Sequence, residues 1–174
     1  MITLLRLLLG FMSGVAATGP MSAIMVAIHR RLPERERYPL PPREITTKAL
    51  DRALGPGATN PAVRSALTWL AHFGYGGAAG ALYAQSRVIG LNRNTTGGIV
   101  FGLLVWMVSY LGLLPGLRVL RPATEQPARR NALMIVAHVV WGALLAAFYQ
   151  VFVSDLGDNK AAFHASSKSH KDVL

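Results

Sequence analysis

The chain has 174 residues, 52% of them hydrophobic and 15% charged. That is too apolar for a soluble domain of this size, in which about a quarter of residues are charged. The net charge of +10 lies mostly between apolar runs, where anionic headgroups and the positive-inside rule account for it; no basic face interleaved with aromatics points to nucleic acid, and the lack of cysteine excludes disulfides, thiolate metal sites and thiol nucleophiles.

The first apolar run, Ile2 to Ile28, is interrupted only by Arg6 and contains Pro20. MITLLRLLLGFMSGVAA has the short apolar core and trailing small residues of a signal peptide. The run nevertheless continues through MSAIMVAI, so it reads as a retained membrane helix over about residues 7–28, kinked at Pro20. Residues 29–63 form a polar loop of mixed charge with a Pro-rich YPLPP segment. Within it a short helix is predicted over 42–54, started by Pro42 and stopped by Gly55-Pro56-Gly57. Its Ile45, Ala49, Leu50, Ala53 and Leu54 fall opposite Arg43, Lys48, Asp51 and Arg52. Such a helix either lies on the headgroups or packs under the bundle ends.

Asn60 and Pro61 suit the N-cap and first position of a second span, over about 64–85, with Gly76 and Gly80 at the small-xxx-small spacing that brings membrane helices close. After the polar hinge RVIGLNRNTTGG, a third span over about 97–115 repeats that spacing at Gly98 and Gly102 and ends near Pro115-Gly116. A basic loop leads to a fourth span over about 130–152. The tail, 154–174, is rich in Ser, Lys, Asp and His and is expected to be disordered.

The second and fourth spans repeat one pattern. RSALTWLAHFGYGGAAGALY at 64–83 and RNALMIVAHVVWGALLAAFY at 130–149 superimpose Arg64 on Arg130, His72 on His138, Gly76 on Gly142 and Tyr83 on Tyr149, together with four Ala or Leu positions. Arg to Tyr is nineteen steps, roughly 28 Å of helix, close to the ~30 Å of bilayer hydrocarbon. The expected fold is therefore all-α: a polytopic four-helix bundle of two parallel-repeated hairpins forming one domain over 1–153, with the short interfacial helix in its first loop. Arg64, Arg130, Tyr83 and Tyr149 are expected at the membrane interfaces. Twelve of the eighteen Lys and Arg lie in the connections after the first and third spans. That bias predicts cytoplasmic loops at 29–63 and 116–130, with both termini outside.

No Asp, Glu or Lys falls inside an expected span, which argues against a carboxylate proton relay. His72 and His138 are the ionisable groups near mid-span, each ~12 Å below its Arg and at equal depth on parallel helices. In an up-down-up-down bundle those helices are diagonal, and facing imidazoles beside Gly76 and Gly142 form the geometry that clamps a b-type haem. The competing view is packing: a neutral His donating to a Ser, Tyr or backbone carbonyl across a helix interface, with glycine one turn away for close approach. No nucleophile elbow, zinc-protease motif, P-loop or dinucleotide fingerprint occurs. The leading expectation is a non-enzymatic structural or accessory component without a cofactor. Its partners are the bilayer, anionic headgroups and a second copy or another membrane protein. The alternatives are a bis-His haem electron carrier and a small transporter or channel with a polar cavity of His72, Tyr75, Ser109, Tyr110 and His138.

The segments TGPMSAIMVAIHRRLPERERYPLPPREIT, AHFGYGGAAGALY, FGLLVWMVSYLGLLP and PATEQPARRNALMIVAHVVWG together resemble a family of small bacterial inner-membrane proteins of the broad YagU-like kind. The resemblance covers most of residues 10 to 150 and implies a bacterial plasma-membrane location. It implies no reaction, cofactor or catalytic residue.

Overall fold

The computed structural model describes residues 2–37, 39–86 and 90–171, with side-chain surroundings given for residues 3–154 of those. They form helices and no strand: α1 (Ile2–His29), α2 (Pro41–Leu54), α3 (Pro61–Tyr83), α4 (Thr95–Met107), the short α5 (Leu114–Gly116) and α6 (Ala128–Lys171). Sequence signals set several boundaries. The Asn60 side chain accepts from the Val63 amide at 2.9 Å to open α3, and Asn94 accepts from Gly97 at 2.8 Å to open α4. Pro41 stands at the start of α2, where its missing N–H costs nothing. Pro20 sits exposed inside the continuous α1. Past Val153, where the polar composition predicts an end and then disorder, α6 continues to Lys171 with no proline after Pro127 to stop it. The tail's side chains lie outside the described residues.

Three stretches are long and apolar enough to cross a membrane: Thr3–His29, Thr95–Gly116 and Ala128–Ser154. α3 has the length, at 23 residues, but its apolarity is diluted by Arg64, Ser65, Thr68, His72 and four glycines. Around the bundle the order is α3, α1, α6, α4, with α1 packed on both α3 and α6 and α4 packed on α6. α3 and α4 barely touch, so the ring is open along that seam, and α3 stands diagonally across from α6 as expected.

The tight seams are made by small residues. A side chain at Gly14 would collide with the Gly76 carbonyl, and one at Gly10 with that of Gly80, fixing α1 antiparallel to α3. Gly98 and Gly102 meet Gly142, Ala146 and the His138 carbonyl in the same manner on α6. Backbone approach this close maximises van der Waals contact where no hydrophobic force separates helix from lipid. Leu4, Leu8, Met12, Leu70, Leu82 and Val108 remain exposed on the outside, where a bilayer would cover them.

Between α4 and α5 the chain winds more widely, as a π-helical segment over Val108–Leu113 in which the Leu114 amide bonds the Ser109 carbonyl. Periodicity did not anticipate this segment. It re-aims Ser109 and Tyr110, both buried, toward the bundle interior.

α2 packs under the bundle ends, the second of its two expected placements, and it is held there by its charges. Arg64 at the start of α3 donates to Asp51 at 2.6 Å, and Arg130 at the start of α6 donates to Glu44 at 2.7 Å. Lys48 donates to the Val119 carbonyl at 3.0 Å, and Arg52 to the carbonyls of Leu117 and Arg118, capping the chain as it leaves α5. Its expected apolar stripe is divided: Ile45 turns inward, whereas Ala49, Ala53 and Leu54 are exposed. The charged side chains of α2 thus add ion pairs and hydrogen bonds to the inward packing of Ile45.

Candidate functional site

Two cavities stand out among the described residues, one at the open α3–α4 seam and one beside α2. The inner one, about 260 Å³, lies between all four long helices and α2. Its wall is mainly apolar, with Met21, Ile45, Val105, Leu113 and Met134, and His72, Tyr75, Ser109, Tyr110 and His138 supply polar groups. These are the five residues expected of a transporter's cavity. The outer one, about 980 Å³, lies between α1, α2 and the start of α3 and is lined by Arg37, Arg43, Glu44, Lys48, Arg64 and others. His72 and Pro42 line both cavities.

His72 Nε2 lies 3.1 Å from Ser22 Oγ on α1. The Ser22 hydroxyl donates to the Thr18 carbonyl at 2.8 Å, so it accepts from His72, whose Nε2 carries the proton of that bond. One turn away the Thr18 hydroxyl donates to the Gly14 carbonyl, and Trp141 Nε1 reaches both Gly14 O and Thr18 Oγ1 at 3.3 Å. His138 donates from Nδ1 to the Met134 carbonyl of its own helix at 2.8 Å and meets Tyr110 edge to face at 6.1 Å. Across the seam, the hydroxyls of Tyr75 and Ser109 bond at 2.8 Å, a bridge from α3 to α4.

Both histidines thus border one cavity, and His72 is bonded across a helix interface in the manner the packing alternative describes. For His138 the partner is its own helix and not a neighbour. The space beside Gly142 is filled by the backbone of Gly98 and Gly102, and that beside Gly76 by Thr18 and Gly14, although Gly76 also borders the inner cavity. Among the described residues no group of three or more His, Asp or Glu is placed to hold a metal ion.

Of the four residues expected at the membrane interfaces, the two arginines stand at helix starts and the two tyrosines are buried. Tyr83 and Tyr149 are buried, 0% and 3% exposed, and their rings pack on each other. Arg93 lies over the Tyr149 ring, 5.6 Å from its centre. Arg64 and Arg130 do stand at the helix starts, but their guanidiniums are paired with α2 carboxylates and largely covered. At Glu44, burial opposes ionisation, yet the hydrogen bonds and charges of Lys48 and Arg130 outweigh it and hold the carboxyl below its ordinary value.

Sequence reasoning missed Thr18 and Ser22. Their signal is the four-residue spacing of Gly10, Gly14, Thr18 and Ser22, a stripe of small and hydroxyl residues along one side of α1. In comparisons with known proteins, no family model, no curated protein and no solved structure matches the chain.

Proposed function

We propose that the chain is a non-enzymatic, accessory protein of a bacterial inner membrane that holds a small molecule inside its helical bundle. The observation that carries this reading is the pair of cavities that share His72, one bordered by charged side chains and one almost wholly apolar. A cavity with a few convergent polar groups is the usual form of a small-molecule site.

In this reading α1, α3, α4 and α6 all cross the bilayer, α3 with Leu70 and Leu82 outward and Gly76, Gly77 and Gly80 inward. The bundle consists of two parallel-repeated hairpins. Support comes from the seams: Gly14 meets the Gly76 carbonyl and Gly80 as Gly98 meets the Gly142 carbonyl and Ala146. The α2 end is cytoplasmic, following the excess of Lys and Arg there, and both termini are outside.

The native chain has no cysteine, so single-cysteine variants test both points. Thr68→Cys in the outer cavity should react with a membrane-impermeant thiol reagent in inverted vesicles and resist it in right-side-out ones. Ala71→Cys, at the inner cavity, should react only with a small permeant reagent. Complete protection of both positions in both orientations defeats the small-molecule reading.

The transporter alternative draws on the sparsely packed α3–α4 seam, bridged by Tyr75 and Ser109. A bis-imidazole haem fits less well, since His72 would have to leave Ser22 and the neighbourhood of Gly142 is filled.

A further inference from the structure

The two cavities differ in chemistry in a way that specifies a ligand class. Of the charged side chains in the outer cavity, Glu44 is neutralised by Lys48 and Arg130, and Arg64 is paired with Asp51. Arg37 directs Nε to the Leu32 carbonyl at 2.8 Å and Nη2 to the Arg30 carbonyl at 3.0 Å, which fixes the guanidinium without cancelling its charge. Arg43 is exposed and has no carboxylate partner among the described residues. The outer cavity therefore presents uncompensated positive charge. Beyond His72 the wall becomes largely apolar, and the inner cavity, at about 260 Å³, has room for one alkyl chain.

Resting on the small-molecule reading above, we propose that the occupant is an anionic single-chain amphiphile. Its carboxylate or phosphate lies against Arg43 and Arg37, and its chain passes His72 into the inner cavity. A neutral alcohol of the same length leaves both guanidiniums without a counterion, and inorganic phosphate gains nothing from the apolar wall. The full site thus discriminates on charge and on chain together.

Trp141 borders the inner cavity, so it reports on the chain. The full-length protein, carrying Trp69→Phe and Trp106→Phe, is placed in phosphatidylcholine nanodiscs and titrated with laurate brominated at its distal carbons. Saturable quenching of Trp141 is expected, displaced by unbrominated laurate and hardly at all by inorganic phosphate. Brominated dodecanol should quench only as far as its partition into the bilayer allows. Arg43→Gln should raise the half-saturating laurate concentration about tenfold, the loss of one charge-assisted contact, with Arg43→Lys intermediate. Circular dichroism checks that each variant is folded.

Equal quenching by the alcohol and the acid, or an unchanged midpoint in Arg43→Gln, overturns the inference while leaving the small-molecule reading intact. Phosphate competing as strongly as laurate reduces the site to a plain anion site and also overturns it. Absence of quenching by either amphiphile, together with an unlabelled Ala71→Cys, removes both.

Discussion

Tyr83 and Tyr149 meet edge to face, ring centroids 5.9 Å apart at an interplanar angle of 85°, although α1 stands between their helices. Phe101 leans on Tyr83 at 5.4 Å, so the far end of the bundle closes on an aromatic cluster. The repeated arginines are bound to α2 and the repeated histidines share a cavity, whereas the repeated tyrosines touch each other. Replacing either Tyr by Ala should cost about 3–5 kcal/mol of stability. The double variant should fall short of the sum by about 1 kcal/mol, the value of an aromatic pair. Denaturation of the four proteins of this cycle in micelles measures both quantities, and strict additivity would deny the contact.

The seam glycines should be intolerant in proportion to what surrounds them. Gly14→Val and Gly142→Val each drive a side chain into the backbone of the partner helix and should destabilise by at least ~1–3 kcal/mol. Gly74 in α3 has nothing within 4 Å of where a Cβ would sit. Gly74→Ala should leave stability unchanged or raise it by about 0.5–1 kcal/mol, because alanine loses less backbone freedom in a helix. Thermal unfolding separates the two cases.

Glu44 links stability to acidity. Its folded carboxyl is held below the ordinary value, so the folded chain binds the proton less readily than the unfolded one. The resulting stabilisation is present at neutral pH and is lost as pH falls from the ordinary glutamate value through the lower folded one. Wild-type melting temperature should therefore decline over that acidic range more steeply than that of Glu44→Gln, which lacks the titrating group. Parallel pH profiles would show that the Lys48 and Arg130 contacts carry no linkage.

The haem alternative has a direct spectroscopic test. Given the bonds at His72 and the filled space at Gly142, protein purified from a haem-replete host should show no Soret band. A band that disappears in His72→Ala or His138→Ala would reverse that expectation and make the pair axial ligands.

Beside the inner cavity the open seam is bridged by the hydrogen bond of Tyr75 to Ser109. Tyr75→Phe should cost about 0.5–1.5 kcal/mol and increase labelling of Ala71→Cys, because α3 and α4 pack sparsely. Unaltered labelling would mean that the bridge does not control access to the cavity.

Local chemistry alone determined a good part of this protein. The caps at Asn60 and Asn94, the helix starting near Pro42, the long apolar runs and the glycine pairs are legible because each acts within one turn or one helical stripe. The same reasoning placed His72 and His138 near mid-span, and equal spacing from their arginines carries both to one cavity. Partners distant in sequence were decided only by the tertiary structure. Asp51 and Glu44 read as solvated charges on α2 until the bundle brings the helix starts against them. Tyr83 and Tyr149 read as interfacial because position along a helix reports depth but not which neighbour covers the ring. The wide turn at Val108–Leu113 departs from the 3.6-residue period on which sequence inference relies, and it helps deliver Ser109 and Tyr110 to the cavity.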